Sequence, residues 1–320
     1  MKVLVTGATG FVGSEILKKL ESENFEVYGT SKTGKIDSLP DIIKADVTNF
    51  ESLKNLSENF YDAIIHSAGL AHQFGNIEKE SFEKVNVDGT KNVAELAVKV
   101  KAKQFILISS TAVYGYHKNA VDEFTECRPD TDYAKSKLEA EKICVEICER
   151  NNIKLTIFRL APVLGEKGIG NVPRLIRAID KKRFIWIGDG KNKKSLIYVG
   201  DIANACFKIL KSKKDGTEIF NLSSPPVEMR ELVKTISGAL NKKVPEFSIP
   251  EFFPNLFIKT NEKFIGSKFI EKYSKIFDKW LSDDIYSADK IKNEYGFEPQ
   301  TPIVDAVKKQ CDWYQKQKNL

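Results

Sequence analysis

The apolar residues of this chain fall into short β-branched runs separated by longer amphipathic stretches. Residues 2–6 (KVLVT) are almost wholly apolar, the pattern of a strand buried on both faces. Over residues 15–20 the period changes to that of a helix, with Ile16, Leu17 and Leu20 on one side. Strand-like runs recur at residues 25–30 (FEVYGT), 42–45, 61–66 (YDAIIH), 104–109 (QFILIS) and 154–159 (KLTIFR). Helical periodicity begins at Phe50 and also fills residues 82–100 and 131–150. Strands that alternate with helices in this way predict an α/β fold with a doubly wound parallel sheet, Rossmann-like in its connectivity.

Beyond residue 160 the texture changes. LAPVLGEKGIGNVPRLI carries turn residues and then a helical run from Val172. Two short strands are predicted at 184–187 and 195–199, around a Gly188-Asp189-Gly190 turn. A helix at 201–210, a strand at 218–222 and helices at 227–240 and 303–317 follow; Asp46 is a candidate cap for the helix from Phe50, a role placed behind its contact with a ligand. No repeat or low-complexity linker divides the chain. The expected organisation is a dinucleotide-binding domain over residues 1–165, to which 195–225 returns. Residues 166–320 are then mainly a smaller, interwoven substrate-binding lobe.

Composition excludes several classes. Of 320 residues 42% are apolar, and 50 basic and 44 acidic residues are interspersed for a net charge of +6. Without a basic block interleaved with aromatics, nucleic acid is not an expected partner. The five cysteines are scattered, Cys144 and Cys148 lack zinc-ligand spacing, and His72 and His117 are isolated, so no metal is expected. Reduced thiols predict a cytoplasmic setting. The apolar run at residues 1–5 is too short for a signal peptide, and no segment reaches the length of a membrane span. Residues 250–281 set Phe269, Tyr273, Ile276, Phe277 and Trp280 on one helical face and Lys268, Lys272, Lys275 and Lys279 on the other. A helix packed on the substrate lobe or at a subunit interface is predicted there ahead of one lying on a membrane.

Two motifs carry chemistry. Gly7, Gly10 and Gly13 lie between the first strand and the first helix. Glycines there let backbone approach a phosphate, and the helix N-terminus offers free N–H groups and a positive dipole end. Ser110 ends the fifth strand, and Tyr133 and Lys137 sit four apart in the next helix. The C-terminal edge of such a sheet is where ligands bind.

TGATGFVG with this Ser, YAKSK (133–137), HSAGLAH (66–72) and NVDGT (86–90) resembles an extended short-chain dehydrogenase/reductase of the NAD-dependent epimerase/dehydratase type. The resemblance spans residues 1–225 and, more weakly, EYGFEPQTPIVDAV near the C-terminus. It implies a dinucleotide held by Gly7, Gly10, Phe11, Val12, Gly13, Ser31, Lys32, Asp46, Val47, Ser67, Ala68, Gly69, Tyr133, Lys137 and Pro162. It also implies hydride transfer at C4 of a nucleotide-linked hexose. Tyr133 is then the acid/base, Ser110 the orienting donor and Lys137 the electrostatic activator. A free tyrosine is a poor base at neutral pH, with a pKa of about 10. A charge about 6 Å away at an effective dielectric of ~20 is worth roughly 3 kcal/mol. With a second charge from an oxidised nicotinamide, Tyr133 is expected at a pKa of about 6 to 8. Sugar 4,6-dehydratases carry an Asp-Glu pair after the active-site hydroxyl, where this chain has Thr111 and Ala112; a dehydratase is therefore disfavoured.

Thr111, Tyr114, Asn171, Arg174, Trp186 and Lys194 are the substrate candidates implied by the resemblance. Thr30, Ser31 and Lys32 follow the second strand with no acid to hold a ribose 2′-hydroxyl, which places NADP ahead of NAD. A 4-keto-sugar reductase is accordingly placed ahead of a UDP-glucose or UDP-N-acetylglucosamine 4-epimerase. A non-catalytic dinucleotide sensor is the remote alternative. The resemblance also implies a homodimer, built through helices 82–100 and 131–150.

Overall fold

The computed structural model describes residues 1–34, 42–71, 77–250 and 281–318. His72 and the Phe/Lys-rich residues 251–280 lie outside them. Strands β1 (Lys2–Thr6), β2 (Glu26–Ser31), β3 (Ile42–Lys44), β4 (Ala63–His66), β5 (Gln104–Ser110), β6 (Lys154–Leu160) and β7 (Thr217–Leu222) form one parallel sheet. Their order is β7-β6-β5-β4-β1-β2-β3. Strand order reverses at β1, so a crevice opens at the C-terminal ends of β1 and β4, where the glycine turn lies.

Among the described residues, the α-helices longer than one turn are α1 (Phe11–Ser22), α2 (Gly89–Lys99), α3 (Asp132–Arg150), α4 (Asn171–Asp180), α5 (Val199–Leu210), α6 (Met229–Ala239), α7 (Asp289–Tyr295) and α8 (Ile303–Lys318). On one face of the sheet, Ile16, Leu17 and Leu20 of α1 pack with Ile202, Cys206 and Ile209 of α5 against Val3, Val5 and Ile65. On the other, Val93, Leu96 and Ala97 of α2 and Cys144 and Cys148 of α3 pack against Leu4, Ile64 and Leu107. Each large aliphatic side chain buried in this way contributes about 1.5–3 kcal/mol. A third apolar cluster joins α4, α6 and α8 into the smaller lobe. β7 pairs with β6 from Thr217 to Leu222, which brings the chain back to the sheet after α4 has left it.

Several local expectations are corrected. The helix from Phe50 is a 3-10 stretch, Phe50–Leu56, capped by Asn49, whose side chain accepts the Glu51 N–H; Asp46 caps its own turn instead. The helix expected at 82–100 is a turn at Lys79–Phe82, a π-helical segment at Glu83–Asp88 and then α2. The short strands around Gly188-Asp189-Gly190 are Trp186–Ile187, which pairs with Ser248–Ile249, and Lys193–Lys194, which pairs with Val227–Glu228. Ile197–Tyr198 pairs with Val163–Leu164. Two-residue strands have too little periodicity of their own to reveal partners fifty residues away.

Candidate active site

At Gly7 the backbone turns into the left-handed region, φ 67°. A Cβ there would lie 2.7 Å from the backbone N and Cα of Ala68, so only glycine lets the β1 turn meet the β4 turn. A Cβ on Gly13 would lie 2.3 Å from the Gly7 carbonyl oxygen, which shows how closely α1 is seated on the turn. Gly10 is the N-cap of α1, with no side-chain cap and no acid in the first turn. These are the properties of a pyrophosphate cradle. A cavity of ≈ 240 Å³ opens beside it. Among the predicted residues it brings together Gly7, Gly10, Ser31, Lys32, Asp46, Val47, Ser67, Ala68 and Gly69; Thr9, Thr30, Ala45, Thr48 and Val85 complete the wall. The buried Thr30 hydroxyl has no partner within the protein, which fits a dinucleotide's polar atoms at this wall. Phe11 packs beneath the loop at Gly165 and Gly168, Val12 joins the core, and the Pro162 carbonyl accepts the Ile197 N–H.

The far wall holds a finding that bears on the cofactor. Lys32 Nζ lies 3.0 Å from Asp46 Oδ2. Asp46 Oδ1 accepts the Thr48 N–H at 3.0 Å and the Thr48 hydroxyl at 2.9 Å. Burial raises the Asp46 pKa, but the Thr48 bonds and Lys32 outweigh it and hold the carboxyl below its ordinary value. The acid missing after β2 is thus present after β3, on the same cavity, and it faces Lys32.

Behind the cradle, His66 ends β4 fully buried. Its Nδ1 lies 2.7 Å from the Thr6 hydroxyl and its Nε2 3.0 Å from that of Thr90. Thr90 donates to the Asn86 carbonyl at 2.5 Å, so Nε2 is the protonated nitrogen of the ring. Burial, with the Lys137 charge adding to it, pushes the His66 pKa down to about 3. His66 is a neutral strut. The π-helical segment turns Asn86 inward, where it bonds the Leu70 backbone at 2.7 and 3.1 Å and the Ser136 hydroxyl at 2.9 Å. Asn86 so ties the β4 loop to α3.

Outside the lining of this cavity, β5 delivers Ser110 and α3 delivers Tyr133 and Lys137. Thr131 caps α3 by accepting the Ala134 N–H, which starts the helix at the point that sets Tyr133 in its first turn. Ser110 accepts the Ala112 N–H, and its hydroxyl is hydrogen-bonded with that of Tyr133. The Tyr133 ring packs edge-on against Phe82 at 6.0 Å. Lys137 is buried and donates to the Ile108 carbonyl at 2.6 Å. The three predicted residues therefore converge, but their electrostatics differ from expectation. Burial raises the Tyr133 pKa, and the Ser110 bond only partly opposes it. Lys137 spends its hydrogen bond on β5, and burial pushes its own pKa down to about 8. The chain's own groups leave Tyr133 a neutral phenol at pH 7.

The substrate candidates divide. Thr111 is buried and donates to the Leu160 carbonyl at 3.2 Å. Tyr114 is fully buried, its hydroxyl between Arg159 and Asn221, and has no face on the cleft. Lys194 is held by Asp284 at 2.8 Å and by the Ser282 carbonyl at 2.7 Å, so its charge is compensated. Trp186 lies half-buried against Phe184, with Arg230 over its ring at 6.0 Å. Asn171 and Arg174 are exposed on the first turn of α4, whose N-cap Gly170 supplies no side-chain cap. Among the described residues no group of three or more His, Cys, Asp or Glu forms a metal site, and no helix is long and apolar enough to cross a membrane. Glu141 and Arg159, buried beneath Ser110 and Tyr133, escaped sequence reading. The one signal was Glu141's place eight residues after Tyr133, on the same helical face.

A glycine cradle, a cavity beside it and a Ser-Tyr-Lys set at the edge of a doubly wound sheet define an extended short-chain dehydrogenase/reductase. The chain matches the NAD dependent epimerase/dehydratase family over residues 3–223 and belongs to it, as an NAD-dependent enzyme. Over 252 residues, 78% of this chain and 75% of the relative, it is 32% identical to the N-acetyl-alpha-D-glucosaminyl-diphospho-ditrans,octacis-undecaprenol 4-epimerase of Escherichia coli O157:H7. It is 29% identical over 273 residues to the UDP-glucose 4-epimerase of Vibrio cholerae, covering 80% of this chain and 81% of that one. Among solved structures, the UDP-glucuronic acid 4-epimerase from Bacillus cereus in complex with NAD shares the fold with a TM-score of 0.79 over 99% of each chain, at 22% identity.

Proposed function

We propose that this chain is an NAD-linked 4-epimerase of a hexose carried on a diphosphate. The carrying observation is the Lys32–Asp46 pair on the cofactor cavity. A ribose 2′-phosphate entering there meets the Asp46 carboxylate and a lysine already neutralised by it, whereas a 2′-hydroxyl finds an acceptor. This favours NAD over NADP. It moves the reading from a 4-keto-sugar reductase, which draws on a reduced cofactor pool, to an epimerase, which returns the hydride it removed. The epimerases among the relatives support the same order. Thr111 and Ala112, in place of an acid–base pair, continue to disfavour elimination of water.

Bound NAD supplies the acceptor and donor of hydride at C4. With the charges of Lys137 and of an oxidised nicotinamide beside it, Tyr133 would lose its own proton, take the proton of the C4 hydroxyl and return it to the same oxygen once C4 has been inverted, while Ser110 orients that oxygen. Proton transfer of this kind is worth about 10²–10⁴-fold in rate. The uncapped first turn of α4, with Arg174 on it, suits the diphosphate. The carrier is a nucleoside or a polyprenol, as in the two relatives above. The half-buried Leu138, Ile143, Val145 and Ile147 on α3 support a homodimer through α2 and α3.

The test is incubation without added cofactor, separately with UDP-glucose, UDP-N-acetylglucosamine and polyprenyl-diphospho-N-acetylglucosamine, with products read by proton NMR. Inversion at C4 on one of them is expected. Reduction of a 4-keto sugar that requires added NADPH is the result that restores the reductase.

A further inference from the structure

The mechanism above leaves unused a buried cluster beneath the catalytic helix. Glu141 lies one turn beyond Lys137 on α3, and Arg159 projects from β6; their side chains are 3% and 6% exposed. Arg159 grips the carboxylate through Nη2 at 2.7 Å and Nε at 3.1 and 3.2 Å. The Ser109 hydroxyl, one residue before Ser110, donates to the same carboxylate. Arg159 Nη1 then donates to the Tyr114 hydroxyl at 3.0 Å, and Tyr114 donates to Asn221 Oδ1 at 2.8 Å. The guanidinium also lies over the Tyr114 ring, 4.8 Å from its centroid. Five polar side chains from α3, β5, β6, β7 and the turn after β5 are locked together under the residues that touch substrate.

A buried ion pair is a poor way to gain stability, because desolvation offsets most of its attraction. Its position points to another role. Glu141 lies four residues after Lys137 on the same helix face, and Arg159 and Ser109 hold its carboxylate there. The other groups around Lys137 cannot serve as counter-charge. His66 on β4 is neutral, the Ile108 carbonyl and Ser109 on β5 are uncharged, Cys144 on α3 is kept a neutral thiol by burial, and Tyr133 is a phenol.

We propose that Glu141, clamped by Arg159 and Ser109, is the positioning residue whose charge keeps the buried Lys137 an ammonium. This rests on Lys137 acting with Tyr133 in the reaction proposed above. Burial alone drives the lysine toward its neutral amine, and Glu141 is the chief opposing influence. Arginine stays protonated at every accessible pH. If Glu141 becomes neutral, two buried cations share one cluster and Lys137 is the one that gives up its proton.

The experiment labels lysine with ¹³C at Cε and assigns Lys137 by the signal lost in Lys137→Met. Its ammonium is titrated in wild type, Glu141→Gln and Glu141→Asp. Wild type and Glu141→Asp are expected to share a midpoint, and Glu141→Gln to fall by about one pH unit or more. Turnover of Glu141→Gln is expected to be about tenfold below wild type at about pH 8.5 and within about threefold at about pH 6. The titration needs no substrate, so it is decided separately from the 4-epimerase reading. A folded Glu141→Gln with an unchanged or higher Lys137 midpoint, or with equal activity loss at every pH, overturns the proposal. If Glu141→Gln alone does not fold, the double variant with Lys137→Met, which removes the uncompensated cation, is expected to fold. A double variant that stays unfolded overturns it equally.

Discussion

Replacing Gly7 by alanine tests the cradle most sharply. The residue sits at φ 67°, where a side chain costs about 1–2 kcal/mol. The new Cβ also lies 2.7 Å from Ala68 N and Cα and 3.0 Å from the Ser67 carbonyl carbon. These are backbone atoms that cannot rotate aside, and overpacking of this kind costs about 1–3 kcal/mol. The two together come to about 2–5 kcal/mol, within the total stability of about 5–15 kcal/mol typical of folded proteins. Gly7→Ala is therefore expected to fold, with a lower urea midpoint. Relief comes by moving Ser67 and Ala68, which line the cofactor cavity, so NADH affinity is expected to fall about tenfold or more. Urea unfolding followed by tryptophan fluorescence and an NADH fluorescence titration measure both. Gly238→Ala is the control. It lies in α6 with nothing within 4 Å of an added Cβ, and is expected to gain up to ~1 kcal/mol from helix propensity. A Gly7→Ala protein with wild-type midpoint and wild-type NADH affinity would refute the close approach of the two turns.

Tyr133→Phe is expected to lower turnover by about 10²–10⁴-fold with dinucleotide affinity unchanged; activity within about tenfold of wild type would remove the tyrosine from its role. Asp46→Asn takes away the negative charge beside Lys32 and is expected to raise NADP affinity relative to NAD about three- to tenfold, measured by paired titrations; an unchanged ratio counts against the ribose reading. His66 predicts a pH dependence of stability. Its folded pKa of about 3 lies below the ordinary 6.5, so between these values the unfolded chain binds a proton that the folded one does not. Stability is full above pH 6.5 and falls as pH drops, by about 1.4 kcal/mol per unit. Urea midpoints at about pH 7.5 and pH 5.5 should show this loss in wild type and not in a folded His66→Gln; equal slopes in the two proteins contradict it.

The sheet and the reacting groups were legible because each announces itself locally. KVLVT followed by Gly7, Gly10 and Gly13 is a strand, a turn and a helix start within a dozen residues. Tyr133 and Lys137 need only helical periodicity to share a face. What stayed hidden depends on contacts between distant segments. Lys32 is a turn residue until β3 brings Asp46 to within 3.0 Å of it. Lys194 reads as a free phosphate ligand until Asp284, ninety residues away, takes its charge. Tyr114 looks available beside Ser110, yet the 3-10 turn Thr111–Tyr114 rotates it inward onto Arg159. The protonation states of Tyr133 and Lys137 stayed hidden for a related reason. Spacing along a helix sets proximity, but desolvation, which burial alone determines, governs both pKa values.

The central claim is that hydride leaves C4 and returns to the same carbon. Substrate deuterated at C4, turned over without added cofactor and examined by NMR and mass spectrometry, tests it directly. The C4-inverted product is expected to carry its deuterium still at C4. Product with protium at C4 would contradict the account.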